Sequence, residues 1–291
     1  MIYSMIVILI VLIADRYLPD RNGFNPFSWF RDWVESVEQR FNGGQSRQGL
    51  AALGLTVGTV FLVVLLLQVI LAGLSWLFRL GFDIALMYFF VQINSRLFAA
   101  ERIARAIEDD DLPAAEQALS DIPAVVDEPV ADTHPAWTGS MRILVGADSW
   151  FFAPLFWFLV LGPAGAVLLY ATGIATQAWD SRSSRYQEFG RAAHNLYQAL
   201  TWVPIRILAI SYALLGDFES VLHAWGRQRD IWTGSGSQML GAVGFGALGE
   251  NIDESQHESS LLRRTIALEY RVVAFWGICG LLAALSGIFT A

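Results

Sequence analysis

The chain has 291 residues, 55% of them hydrophobic and only 16% charged, with a mean hydropathy of +0.45. That balance describes an integral membrane protein with modest polar loops, and its long continuous apolar runs make it helical and exclude an outer-membrane barrel of short alternating strands. All 19 basic residues are Arg, which excludes the lysine of a P-loop and Schiff-base chemistry, and a net charge of −8 argues against a nucleic-acid partner.

Residues 1–14 form an apolar run closed by Asp15-Arg16; with no basic start and no small-residue cleavage site, the run reads as a retained short span. Between 25 and 41, Phe30, Trp33, Val34, Val37 and Phe41 recur at the spacing of one helical face behind Asn25-Pro26. This predicts an amphipathic helix, resting either on the membrane interface or on a soluble loop core. Residues 50–72 are the strongest span and 77–96 a second, together a two-pass hairpin turned between Gly73 and Arg79. Asp83 lies inside the second span. A carboxylate at membrane depth is a functional candidate by default, the alternative being an interfacial pair with Arg79 four residues earlier.

Residues 98–147 read as an acidic helical loop, because 11 carboxylates face 4 Arg over 96–148. Two short helices are expected around Asp109-Asp110-Asp111, with Pro113 opening the second; the Asp run is a solvated turn or a weak attractor for magnesium. The segment 148–179 has the length of one tilted crossing, yet Pro154 sits early in it and Gly162-Pro163-Ala164-Gly165 at its middle. Backbone freed by proline in hydrocarbon must be satisfied by protein or a wet cavity. A broken or re-entrant helix covered by its neighbours follows, with Pro154, Gly162, Pro163, Gly165 and the later Pro204 as structural residues.

The polar ends of that segment place the candidate site there. Asp148, Asp180, Arg185 and Arg206, with Asp83, form the candidate ligand-binding set, since the guanidinium fork suits a carboxylate or phosphate. Asp148 could orient Arg206 or act as a general base. After Pro204, Ile205–Leu215 is too short to span alone. Residues 217–267 read as a polar, Gly-rich loop in which Gly244–Gly249 formally matches G-x-G-x-x-G, without the strand a dinucleotide site requires. Residues 268–291 form the last span. Its Cys279 is the chain's one thiol, and His134, His194, His223 and His257 are scattered, so no metal site and no cofactor is expected. The whole is all-α and polytopic, with about 4–5 spans and helical cytoplasmic loops. With 148–179 re-entrant, the three Arg-bearing loops share the cytoplasmic face.

The block SWFFAPLFWFLVLGPAGAVLLY, followed by Arg185-Tyr-Gln-Glu-Phe-Gly190 and Val203-Pro-Ile-Arg206, resembles the AmpE family. The resemblance extends from DRYLP at the end of the first run, through EDDDLPAAEQAL, to the terminal span. That family consists of multi-pass proteins of the bacterial inner membrane associated with control of β-lactamase induction, related to the cobalamin-biosynthesis proteins CobD/CbiB. The resemblance implies a regulatory, signalling role linked to cell-wall status, with membrane lipid, a cell-wall fragment or small anionic ligand, and a regulatory protein as partners. The alternative it implies is a CobD/CbiB-like amide-forming ligase with altered or lost catalytic acids. CobD-like enzymes carry N-T-L-D-S where this chain has Ile174-Ala-Thr-Gln-Ala178, and paired Asp where it has Tyr197-Gln198.

Overall fold

The computed structural model describes residues 2–17, 28–43, 45–125, 134–180, 186–227, 235–249 and 258–289. Among them every regular element is helical. In order these are α1 (Ile2–Tyr17), α2 (Ser28–Phe41), α3 (Ser46–Leu53), a π-turn (Gly54–Gly58), α4 (Thr59–Leu74), α5 (Trp76–Phe90) and α6 (Ile93–Glu108). Then come α7 (Leu112–Ser120), α8 (Pro135–Ala147), a second π-turn (Asp148–Phe152), α9 (Ala153–Leu161) and α10 (Pro163–Ala178). The chain closes with α11 (Arg191–Leu215), α12 (Phe218–Arg227), α13 (Gly236–Ala247) and α14 (Glu258–Phe289). Five stretches among the described residues are long and apolar enough to cross a membrane: Ser46–Leu74, Trp76–Glu108, Pro135–Leu161, Arg191–Leu215 and Glu258–Leu282. The fold is all-α and the chain is a polytopic membrane protein.

Two compact units divide it, Tyr3–Val91 with Ala153–Trp202 and Gln92–Phe152 with Val203–Ala291. In the first unit α4 leaves Leu62, Val63, Leu66, Val69, Ile70 and Leu74 exposed, a stripe whose natural solvent is lipid. Ser75 turns the chain into α5, its hydroxyl accepting the Leu77 N–H at 3.3 Å. The α9–α10 pair is a helical hairpin. Gly162 at its tip takes a left-handed φ of 69° that glycine adopts without strain, and a methyl on Gly165 would lie 2.6 Å from the Trp157 carbonyl, so only glycine lets the arms close. The tip sits beside Gln68 of α4, and Phe189, past the far end of α10, sits against Gly49 of α3. Thus α10 runs antiparallel to α4. The apolar face of α2 does not lie on lipid: Phe30, Val34 and Val37 pack into Ala52, Leu53, Val57, Ala171, Ala175, Trp179 and Phe189.

In the second unit α6, α8 and α14 pack on one another, with α7 on α6 and α13 between α8 and α12. Gly139 lets α8 approach Ile103 of α6 and Leu262 of α14, where a methyl would meet both at 3.2 and 3.3 Å. Several stretches run differently from the sequence expectation. Residues 135–147, read there as part of an acidic loop, are a helix that continues to Leu161, because His134 caps an apolar run that Pro135 opens. The helix of the last span begins at Glu258. Within the Gly-rich stretch, Gly236–Ala247 is helical, and a methyl on Gly244 would lie 3.1 Å from Leu144, so the G-x-G-x-x-G match is a helix-packing surface.

Candidate functional site

Pro154 dictates the local geometry of the interrupted helix. Its N–H would have served the carbonyl of Trp150; proline has none, and its ring crowds that oxygen. The helix widens into the π-turn Asp148–Phe152, and the Trp150 carbonyl accepts the N–H of Gln92 at 3.1 Å. Gln92 stands where α5 gives way to α6, so its own N–H is available. Arg96 completes the joint, donating to Gln92 Oε1 at 2.7 Å with its guanidinium 5.7 Å from the centre of the Trp150 ring. Single π-turns of this kind concentrate at functional sites.

That turn presents Asp148, which is 3% exposed and whose Oδ1 has no hydrogen-bond partner. One turn earlier, the Leu144 carbonyl accepts the hydroxyl of Tyr212 at 2.8 Å. The same hydroxyl is hydrogen-bonded to Glu269 Oε1, while Glu269 Oε2 has no partner. Asp148 follows Leu144 by one turn on the side of the helix that faces Tyr212. Tyr212 and Glu269 are buried. Three candidate spans, Pro135–Leu161, Arg191–Leu215 and Glu258–Leu282, therefore each contribute one of these residues. Carboxylates in such a place are costly and mark function by default.

The expected five-residue set is divided. Asp148 and Arg206 belong to the second unit, but among the described residues no ion pair joins them. Asp83 and Asp180 belong to the first. Asp83 is buried, accepting the Tyr3 hydroxyl at 2.8 Å on Oδ2, with Arg79 Nε at 3.9 Å and the Arg79 guanidinium 5.0 Å from the Tyr3 ring centre. The cluster fastens α1 to α5. Asp180 follows α10, partly exposed, and Arg185 lies outside the described residues.

Tyr212 and Glu269 escaped the sequence reading. The signal for Glu269 is a carboxylate within an apolar run; composition alone starts that run at 268, whereas the helix begins at Glu258, placing Glu269 about 16 Å along it.

The stretches 174–178 and Tyr197-Gln198 lie on α10 and α11. At the crossing of α10 and α11 the Tyr197 ring lies against Gly173, where a methyl would be 3.3 Å away, and packs with Ala153, Leu169 and Leu200. The hydroxyls of Thr172 and Thr176 are turned onto their own helix, bonded to Leu168 O and Thr172 O at 2.7 and 2.8 Å. Neither 174–178 nor Tyr197-Gln198 carries a carboxylate of the kind that holds magnesium on a nucleotide. Among the described residues no group of three or more His, Cys, Asp or Glu is placed to hold a metal.

The sequence model of a family described as "Regulatory signalling modulator protein AmpE" matches residues 4–280. The chain belongs to the AmpE family. This AmpE-family chain is also similar to proteins named for cobalamin biosynthesis. It is 31% identical to CobD of Stutzerimonas stutzeri strain A1501 over 242 residues, 82% of this chain and 78% of that protein. It is 28% identical to CobD of Chromobacterium violaceum over 254 residues, 86% and 81% of the two chains. To Protein AmpE of Shigella flexneri it is 35% identical over 79 residues, 26% of this chain and 28% of that one. No solved structure matches.

Proposed function

We propose that this AmpE-family chain is a regulatory protein of the bacterial inner membrane that modulates β-lactamase induction in response to cell-wall status. In this reading lipid surrounds its exposed helices, and it binds a cell-wall fragment or small anionic ligand together with a regulatory protein partner. The observation that carries the reading is the α10–α11 crossing, where the Tyr197 ring lies against Gly173 and where Tyr197-Gln198 and Gln177 occupy the places of the CobD-like acids. A ligase that has exchanged its metal-holding carboxylates for a ring and neutral amides keeps its scaffold without the charged oxygens that orient a nucleotide's metal.

The test has two arms. Protein purified into nanodiscs is given ATP, magnesium and a CobD-type acid and amine; no amide and no nucleotide turnover above background is expected. Deletion in the source bacterium is expected to change β-lactamase induction by a cell-wall antibiotic, with restoration by the intact gene. Amide formation would overturn the regulatory reading. It would favour the second one, a CobD-like ligase with a changed site, which the long match to Stutzerimonas stutzeri CobD supports.

A further inference from the structure

Neither reading uses α12, a helix within the stretch that sequence alone presents as a polar loop. Two residues, Gly216 and Asp217, separate it from the end of α11, so Phe218 stands at most about 11 Å from Leu215. The junction is pinned on both sides. Arg271 donates to the Leu215 carbonyl at 2.7 Å, and the Asp217 N–H donates to the Ala247 carbonyl of α13 at 2.9 Å. Thus α12 is tied to the end of a helix long and apolar enough to cross a membrane.

Around its axis α12 has three different sides. Ser220 and Val221 are buried, and α13 packs against the helix. Glu219 and His223, four residues apart and therefore on one side, are exposed to solvent. Phe218 and Leu222, also four apart, are exposed by 53% and 52%. At the end of α11, Ile210 and Leu214 are exposed by 49% and 62%, so the same apolar exposure continues across the junction at 210, 214, 218 and 222. The natural solvent of such residues on a membrane-length helix is lipid. In α2 the apolar face is covered by Ala52, Leu53, Ala171 and Ala175 of α3 and α10; the apolar pair of α12 is uncovered. Residues 216–227 carry Asp217, Glu219 and Arg227, a balance that does not select an anionic surface and leaves apolar burial as the attraction. We propose that α12 is an interfacial helix, with Phe218 and Leu222 set among the lipid chains just below the headgroups and Glu219 and His223 turned to water. The proposal rests on the membrane class of the chain and holds under either functional reading. Seated there, α12 ties α13 to the bilayer through the bond from Asp217 to Ala247.

Fluorescence quenching tests this in the full chain, reconstituted into nanodiscs of zwitterionic lipid on a Cys279→Ser background. Phe218→Cys, Glu219→Cys and Leu222→Cys each carry one environment-sensitive dye, and Leu66→Cys on the exposed stripe of α4 is the lipid-facing control. All four replaced side chains are exposed, so the labels leave the packing in place. A nitroxide on the lipid chain near the headgroup is expected to quench the dyes at 218 and 222 severalfold more than the dye at 219, and aqueous iodide is expected to show the reverse order. Equal quenching at the three positions overturns the proposal, as does iodide reaching 222 as readily as 219, the outcome expected if a protein partner is the natural cover of this face. Stronger quenching at 222 by a nitroxide at the chain end than by one near the headgroup sets the helix in the bilayer core and also overturns it. Absence of lipid quenching at the Leu66 position as well would overturn the membrane reading itself, and this proposal with it.

Discussion

Single side chains in this protein act through the backbone groups they reach. Asp217 opens α12: its Oδ2 accepts the Ser220 hydroxyl at 2.9 Å, and its Oδ1 accepts the N–H groups of Ser220 and Glu219 at 3.3 and 3.1 Å. The Ser220 hydroxyl foremost, then these N–H groups, favour the ionised carboxylate and hold it below the ordinary range. For a depressed group, the stabilisation is complete above the unfolded value, about 4, and fades as pH falls through the lower folded value. Amide protection at Glu219 and Ser220, corrected for intrinsic exchange, should therefore drop as pH falls below about 4. Asp217→Ala should show low protection at every pH, and Asp217→Asn should keep an intermediate, pH-independent level. Glycines give a second contrast. A methyl at Gly49 would sit 2.0 Å from the Phe189 carbonyl, whereas nothing lies within 4 Å of one at Gly58. Gly49→Ala should cost about 1–3 kcal/mol or more, and Gly58→Ala should stabilise by up to about 1 kcal/mol, both read from thermal unfolding. At this scale the sequence shows which residues are unusual and not what they touch. Asp83 was legible as a carboxylate near Arg79, but Tyr3, 80 residues away, was not.

The helices show how interruption is accommodated in a membrane fold. Pro154 and Pro204 each deprive a carbonyl four residues earlier of its donor, and each carbonyl finds another from a different helix: Gln92 N–H for Trp150, and Trp157 Nε1–H for Leu200 at 2.9 Å. This is why α11 continues through Pro204 for 25 residues, whereas Ile205–Leu215 taken by itself reads as too short to span. A proline is visible in sequence. The donor that repairs it is a tertiary fact, and the choice between a break and a tolerated kink depends on that donor. Trp157→Phe should leave the Leu200 carbonyl unpaired at a cost of about 1–3 kcal/mol beyond lost packing. Pro204→Ala supplies the missing N–H from within α11. In that background Trp157→Phe should cost less by about 1 kcal/mol, a coupling that a double-mutant cycle on thermal or denaturant unfolding measures. Strict additivity would mean that the Trp157 contact does not serve the carbonyl.

Composition made the membrane class legible for the molecule as a whole, but sidedness depends on α9–α10 and α11, which sequence could not resolve. Take the membrane face at which Ser46 begins α3. The stretch Ser46–Leu74 crosses and Trp76–Glu108 returns, leaving Ser120 on the starting face. Pro135–Leu161 crosses away; α10 comes back, since its tip lies beside Gln68 and its far end leads to Phe189 beside Gly49. Continuous through Pro204 and about 37 Å long, α11 is long enough to cross again, an arrangement in which Ser235 would lie on the opposite face. Residues 15–47 carry five Arg and 179–191 carry three, against two in 216–257, so the excess of positive charge predicts that the starting face is the cytoplasmic one. A Cys279→Ser background removes the chain's one thiol and allows single-cysteine labelling in intact cells. Ser36→Cys and Ser120→Cys should be protected from an impermeant maleimide added outside, and Ser235→Cys should react. Protection of all three would mean that α11 turns back before crossing, the arrangement expected when the helix is ended at its proline. Reaction at Ser235 alone would mean that α11 crosses as one span, its Leu200 carbonyl paired with the Trp157 indole as the structure has it.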